Sequence, residues 1–347
     1  MSDFTLLRMT THTQTRLTDP FTEVRDLTGT RAIVTGGAGG IGVVTTRTLA
    51  ASGADVIVGT RGTERAEQIR QALLADLGLP ADRIRIAHLD LIDPDSIHRF
   101  ADHVGNEPVH TLVLNAAMSN VPFQRDRNGT ESQFATNHLG HFALTGRLLP
   151  ALLAAPDARI VTVSSALYTG GRLDLTRLDD SAGYSAGRAY IRSKLANTMF
   201  AIDLNRRLEA AGNTARSFGA HPGMARTPLH TTYPSALTRA ATGTLARVIG
   251  RDAEPAAIGI LAAALSTQVT PELFWGPAGS KRHPDALGSP YASPATDHAV
   301  AAELWSTSEG LTGLAFLSEA VPSGTGLRAC LSESNEAHVG CHDTMSA

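Results

Sequence analysis

From Arg31 onward, short apolar runs alternate with longer stretches whose apolar positions recur every three or four residues. The short runs predict strands over 31–35, 54–58, 83–88, 109–114, 158–163 and 214–220. The longer stretches predict helices over about 40–52, 63–77, 94–104, 130–154, 188–211 and 253–266. Strands that alternate with helices imply right-handed βαβ units, hence an α/β fold with a doubly wound parallel sheet covered on both faces. Residues 1–28 lack clear periodicity and read as an extension. Residues 268–294, rich in Pro and Gly, read as a long irregular stretch, and 295–309 read as helix again. Beyond about 318 the chain turns Ser/Gly/Glu-rich and is expected to be a disordered tail. The expectation is one domain over 29–318, flanked by the extension 1–28 and the tail 319–347.

Composition narrows the function classes. A chain of 347 residues, 42% hydrophobic and 18% charged, can bury a large core. Its net charge of -3 gives no basic excess for nucleic acid or an anionic membrane surface. No apolar run approaches the roughly 18 residues that a membrane span requires. The first residues are polar and Thr-rich, without the apolar segment of a signal peptide, so a cytoplasmic location is expected. Cys330 and Cys341 give no disulfide framework, and with His338 and His342 they match no standard zinc spacing. His138 and His141 lie one helical turn apart, but a packing role is the plainer reading and no metal is expected. Trp275 and Trp305 read as packing anchors.

Chemistry enters after the first strand, at Thr35-Gly36-Gly37-Ala38-Gly39-Gly40-Ile41-Gly42. A side-chain-free turn lets backbone N–H groups approach a pyrophosphate, and the helix that follows points its positive end at it. Gly37, Gly39 and Gly42 fit the general G-x-G-x-x-G pattern, while Gly36, Gly40 and Gly42 fit T-G-x-x-x-G-I-G. The second strand ends in Gly59-Thr60-Arg61, where an acidic residue would bond a ribose 2′-hydroxyl. Asp55 stands at the strand's start instead. Arg61, helped by the Thr60 hydroxyl, can pair with a 2′-phosphate, which favours NADP.

Only two of the 30 cationic Lys and Arg residues are lysines, Lys194 and Lys281, so a lysine signals a task that arginine cannot do. Lys194 follows Tyr190 by four residues, on the same face of a helix. A neighbouring ammonium lowers a phenol's pKa from its usual value of about 10 and fits it for acid–base work.

From about Thr28 to Phe316 the chain resembles the short-chain dehydrogenase/reductase family, in its retinol-dehydrogenase-like and protochlorophyllide-reductase-like branch. The resemblance implies a Rossmann-type fold and an NADP(H)-dependent hydride transfer. Thr35, Gly36, Gly40, Ile41 and Gly42 match the cofactor loop. Asp90, followed by Leu91, matches the aspartate that contacts adenine. Asn115 matches the N-N-A-G element, with Leu114 and Ala117 as departures from it. Asn137, Ser165, Tyr190 and Lys194 match the catalytic tetrad. Pro222, Gly223 and Thr227 match the segment whose threonine meets the carboxamide. The strings N-H-L-G-H-F (137–142) and S-K-L-A-N (193–197) fit the same branch, as does the long insertion Ala166–Ala189. Tyr184 within it, four residues before Arg188, is a competing tyrosine and is set aside.

The implied reaction has Ser165 bonding the substrate oxygen, Tyr190 protonating it and Lys194 holding the nicotinamide ribose. The resemblance has Asn137 hold a water that links Lys194 to solvent. Alcohol oxidation is the same path reversed. The expected substrate is a medium-sized, largely apolar carbonyl or alcohol compound, bounded by 166–189 and by a lid at about 224–250. The competing readings are a non-catalytic NADP-sensing or scaffolding protein, which need not keep Ser, Tyr and Lys together, and a lyase or epimerase using the dinucleotide transiently. The long helices 130–154 and 188–211 offer a possible homodimer face.

Overall fold

The computed structural model describes residues 13–178, 181–223, 252–280 and 284–318. The expected lid at 224–250 and tail at 319–347 lie outside them.

Six parallel strands come where the apolar runs place them: β2 (Arg31–Thr35), β3 (Asp55–Thr60), β4 (Ile84–His88), β5 (Thr111–Leu114), β6 (Arg159–Val163) and β7 (Arg216–Ala220). Helices α1 (Ile41–Ala51), α2 (Thr63–Leu77) and α3 (Pro94–Val104) connect the first of them. The segment expected as one helix over 130–154 divides into α4 (Ser132–Phe134), a π turn at Ala135–Leu139 and α5 (Gly140–Leu153). α6 spans Ala186–Ala210 and α7 spans Ala253–Leu265. Alternate strand residues face opposite layers. Ala32, Val34, Val56 and Val58 pack with α1, α2 and α7. Ile33, Ile57 and Leu112 pack with α3, α5 and α6. Two covered faces explain why these strands read as unbroken apolar runs.

The 268–294 stretch is not irregular. It contains β8 (Leu273–Gly279), parallel to β7, and β9 (Pro284–Pro290), antiparallel to β8. Its glycines suggested loops but mark close approaches. A Cβ on Gly259 would lie 2.6 Å from the Gly276 Cα, and one on Gly288 would lie 2.9 Å from the Trp275 ring. The N-terminal extension is not loose throughout either. β1 (Thr15–Leu17) pairs with β9, Arg16 Nε donates to Asp285 Oδ2 at 2.7 Å, and Leu27 is buried. The sheet order is β1-β9-β8-β7-β6-β5-β2-β3-β4. Connections leave in opposite directions at the β2/β5 boundary, and such a switch point opens the crevice in which these sheets bind ligands.

Helix α8 (His298–Thr312) packs against α5 and α6. Trp305 meets the rings of Phe142 on α5 and Phe200 on α6, and Phe316 stacks obliquely on Phe142 at 4.7 Å. No helix of the described residues is long and apolar enough to cross a membrane.

Candidate active site

The glycine loop closes β2 onto α1. Gly36 (φ 65°) and Gly40 (φ 48°) are left-handed, a conformation in which a Cβ is strained. A Cβ on Gly42 would run into the Gly36 carbonyl oxygen and lie 2.9 Å from Asn115 Nδ2. The left-handed Gly36 and Gly40 belong only to the T-G-x-x-x-G-I-G register and favour it, whereas Gly42 is common to both patterns. Gly40 caps α1 without any side-chain hydrogen bond, and within the first turn the Gly42 N–H donates to the Gly39 carbonyl at 2.8 Å. A cradle of this kind fits a dinucleotide pyrophosphate.

Thr35 and Asn115 fasten the loop from below. Thr35 Oγ1 accepts the backbone N–H groups of Asn115 (2.9 Å) and Ala116 (3.0 Å), while Asn115 Nδ2 donates to the Thr35 carbonyl (2.9 Å). Thr35 is fully buried, so it acts by holding the loop's shape. Ile41 and Leu91 are buried. Asp90 Oδ1 accepts the Ile92 N–H and the Asp90 N–H donates to Ser96 Oγ, which fixes the turn after β4. Thr60 ends β3 half-buried, and Arg61 beyond it is exposed, with no carboxylate partner among the described residues. Asp55 pairs with Arg83 at the opposite end of the strand, far from any ribose at the loop.

α6 brings the catalytic candidates to the end of β6. Ser164 Oγ donates to the Lys194 carbonyl (2.7 Å), which ties the helix to the strand beside Ser165. Lys194 is 2% exposed; its Nζ donates to the Val163 carbonyl (2.9 Å) and lies 5.8 Å from the Tyr190 ring centroid. Burial lowers its pKa to about 8. Tyr190 is half-buried. Ser165 caps the short 3-10 turn Ala166–Gly170, its Oγ accepting the Leu167 N–H. Asn137, in the π turn, accepts the Met118 N–H at Oδ1 (2.8 Å) and donates to the Met118 carbonyl and Ser193 Oγ (2.9 Å each). Ser193 Oγ in turn donates to the Tyr190 carbonyl. Asn137 therefore joins the end of β5 to the turn of α6 that carries both Tyr190 and Lys194.

The segment after β7 begins with His221, whose N–H donates to the Trp275 carbonyl and whose Nδ1 accepts the Gly223 N–H. Pro222 is half-buried and Gly223 has φ 64°. Thr227 lies outside the described residues. Tyr184 is not on the helix with Arg188. Its hydroxyl meets Gln133 Nε2 (2.8 Å), the Val121 carbonyl and Glu131 Oε1 (3.1 Å each). It braces the insertion against α4.

Sequence reasoning missed Ser164, Ser193 and His141. Ser164 and Ser193 adjoin motif residues and so were visible. His141 follows Asn137 by four, a spacing weighed only for metal. No group of three or more metal-ligating side chains occurs among the described residues.

A family profile described as short chain dehydrogenase matches residues 30–237. The chain belongs to the short-chain dehydrogenase family, whose members are oxidoreductases that bind a nicotinamide dinucleotide, and its relatives fall in the retinol-dehydrogenase-like branch. It is 37% identical to retinol dehydrogenase 14 of Mus musculus over 58% of this chain and 63% of that protein, so it spans less than two thirds of that relative's length. It is 33% identical to retinol dehydrogenase 13 of Homo sapiens over 82% of this chain and 85% of that protein. Among solved structures, an uncharacterised protein from Mycobacterium paratuberculosis superposes with a TM-score of 0.65 at 36% identity, covering 84% of this chain and 96% of that one.

Proposed function

We propose that this chain is an NADP(H)-dependent oxidoreductase that moves a hydride between nicotinamide and the carbonyl or alcohol carbon of a medium-sized, largely apolar compound. The observation that carries this reading is Lys194, a buried ammonium held at the end of β6 within 5.8 Å of the Tyr190 ring centre. A buried lysine with no carboxylate partner is costly, and the cost has a use where its charge stabilises a phenolate. Arg61, exposed just beyond β3 and without a carboxylate partner among the described residues, supports a 2′-phosphate and hence NADP over NAD. The relatives named for retinol support an apolar alcohol or aldehyde.

The bound dinucleotide supplies or accepts the hydride. In reduction, the Ser165 hydroxyl bonds the substrate oxygen and the Tyr190 hydroxyl gives it a proton. One Lys194 N–H is committed to Val163, which leaves two for a ribose hydroxyl and for the electrostatic support of Tyr190. That support is lost as pH rises through about 8, where the ammonium discharges.

Tyr190→Phe keeps the ring and removes the hydroxyl. NADPH affinity, read by fluorescence titration, should stay within a few-fold while turnover falls by at least about 100-fold, the lower range for loss of a general acid. Near-normal turnover on a true substrate would refute the assignment.

A further inference from the structure

The Asn137 main-chain carbonyl lies in the π turn Ala135–Leu139. It accepts a hydrogen bond from the His141 side chain, Nδ1 to O at 2.9 Å, and the other ring nitrogen, Nε2, lies 2.9 Å from Thr35 Oγ1. Thr35, Asn137 and His141 are all buried. The proton positions follow from the partners. A carbonyl oxygen can only accept, so Nδ1 carries the hydrogen. Burial keeps the ring neutral, its pKa lowered to about 3, so Nε2 carries a lone pair. The Thr35 hydroxyl must then donate to Nε2, for which the alternative acceptor, the Val113 carbonyl, is farther at 3.4 Å. Both Thr35 lone pairs are already taken by the N–H groups of Asn115 and Ala116.

The result is a directed chain of hydrogen bonds. It runs from the backbone after β5, through Thr35 under the glycine loop and the His141 ring, to the carbonyl of Asn137. Leu or Phe at position 141 would remove the nearest acceptor of the Thr35 hydroxyl and the side-chain donor to the Asn137 carbonyl.

We propose that His141 is a positioning residue that couples the dinucleotide loop to the acid–base apparatus, holding Thr35 with one ring nitrogen and the Asn137 carbonyl with the other. The proposal rests on the functional reading above. It predicts that the two functions of the ring separate. His141→Asn keeps a donor near the Nδ1 position and loses the acceptor for Thr35. His141→Gln reaches the Nε2 position and loses the donor to Asn137.

With NADPH as the probe, His141→Asn should weaken binding by about fivefold or more, while His141→Gln stays within about twofold. With an aldehyde that the wild type reduces, kcat at saturating NADPH should fall by about tenfold or more in His141→Gln and by less than about threefold in His141→Asn. Equal losses of affinity and kcat in both variants, tracking their loss of Tm, would overturn the proposal. A measurement on the unsubstituted protein covers variants that fail to fold. Its imidazole nitrogen chemical shifts should include a neutral ring protonated at Nδ1 whose shifts move when NADPH saturates the chain, and absence of such a ring overturns the proposal. Should the wild type bind NADPH and reduce no carbonyl, the functional reading fails. The proposed coupling to acid–base chemistry fails with it, whatever the ring shift shows.

Discussion

Around the glycine loop, what faces a ligand is main chain: left-handed glycines, the uncapped start of α1, and a threonine buried beneath them. Around the end of β6 it is side chains, with Lys194 and Asn137 buried and Tyr190 and Ser165 half-exposed. The first region excludes atoms so that backbone can approach a phosphate. The second uses buried polar side chains, of which Lys194, Asn137, Ser164 and Ser193 are each hydrogen-bonded, around the proposed proton donor. Substitutions in the two regions should therefore fail differently, binding in one and turnover in the other.

The largest expected effect in the nucleotide region comes from Gly42→Ala. Its methyl group meets the Gly36 carbonyl oxygen and Asn115 Nδ2, so the loop must open. Overpacking of this kind costs about 1–3 kcal/mol, and NADPH affinity should fall by about tenfold or more. Affinity unchanged by titration would show that the loop is not the phosphate cradle. Arg61→Asp comes next. It should erase a preference for NADPH over NADH of about tenfold, equivalent to about 1.4 kcal/mol, with turnover on the preferred cofactor otherwise kept. Equal wild-type affinities for the two dinucleotides would remove the basis for choosing NADP.

Tyr184→Phe should have the smallest catalytic effect and sharpens the comparison from the other side. Its hydroxyl bonds Gln133, Val121 and Glu131, so its removal should cost about 1–2 kcal/mol of stability, seen as a lower Tm. NADPH affinity and turnover should stay within a few-fold. A large fall in turnover with Tm unchanged would mean that the competing tyrosine is the acid. In sequence this residue looked like a helical neighbour of Arg188. The helix, however, starts at Ala186, and Arg188 Nη2 donates to the Gly183 carbonyl instead.

How much was legible in the sequence divides along the same line. The six strands β2–β7 and the long helices were readable because both faces of the sheet are covered and the apolar runs are unbroken. β8 and β9 were not, since Gly276 packs closely against α7 and Gly288 against Trp275, while these glycines with Pro277 and Gly279 look like turn residues. β1 is three residues long and borrows its stability from β9, so it leaves no periodic trace. Spacing singled out Tyr190 and Lys194 as candidates, and the family resemblance added Asn137. Spacing could not identify His141, whose role depends on Thr35 being brought beside it from 106 positions away. Local pattern finds groups that share a helix face, whereas contacts between distant segments appear only in the folded chain.

The central claim is hydride transfer from nicotinamide to a carbonyl carbon, and isotope tracing tests it most directly. The wild-type chain would be incubated with a panel of apolar aldehydes and ketones, retinal among them, and NADPH deuterated at either hydride position of the nicotinamide. The account predicts that one of the two labelled cofactors yields an alcohol with a single deuterium on the carbinol carbon, and that Tyr190→Phe forms it at least about 100-fold more slowly. Bound NADPH with no labelled alcohol from any member of the panel would contradict it.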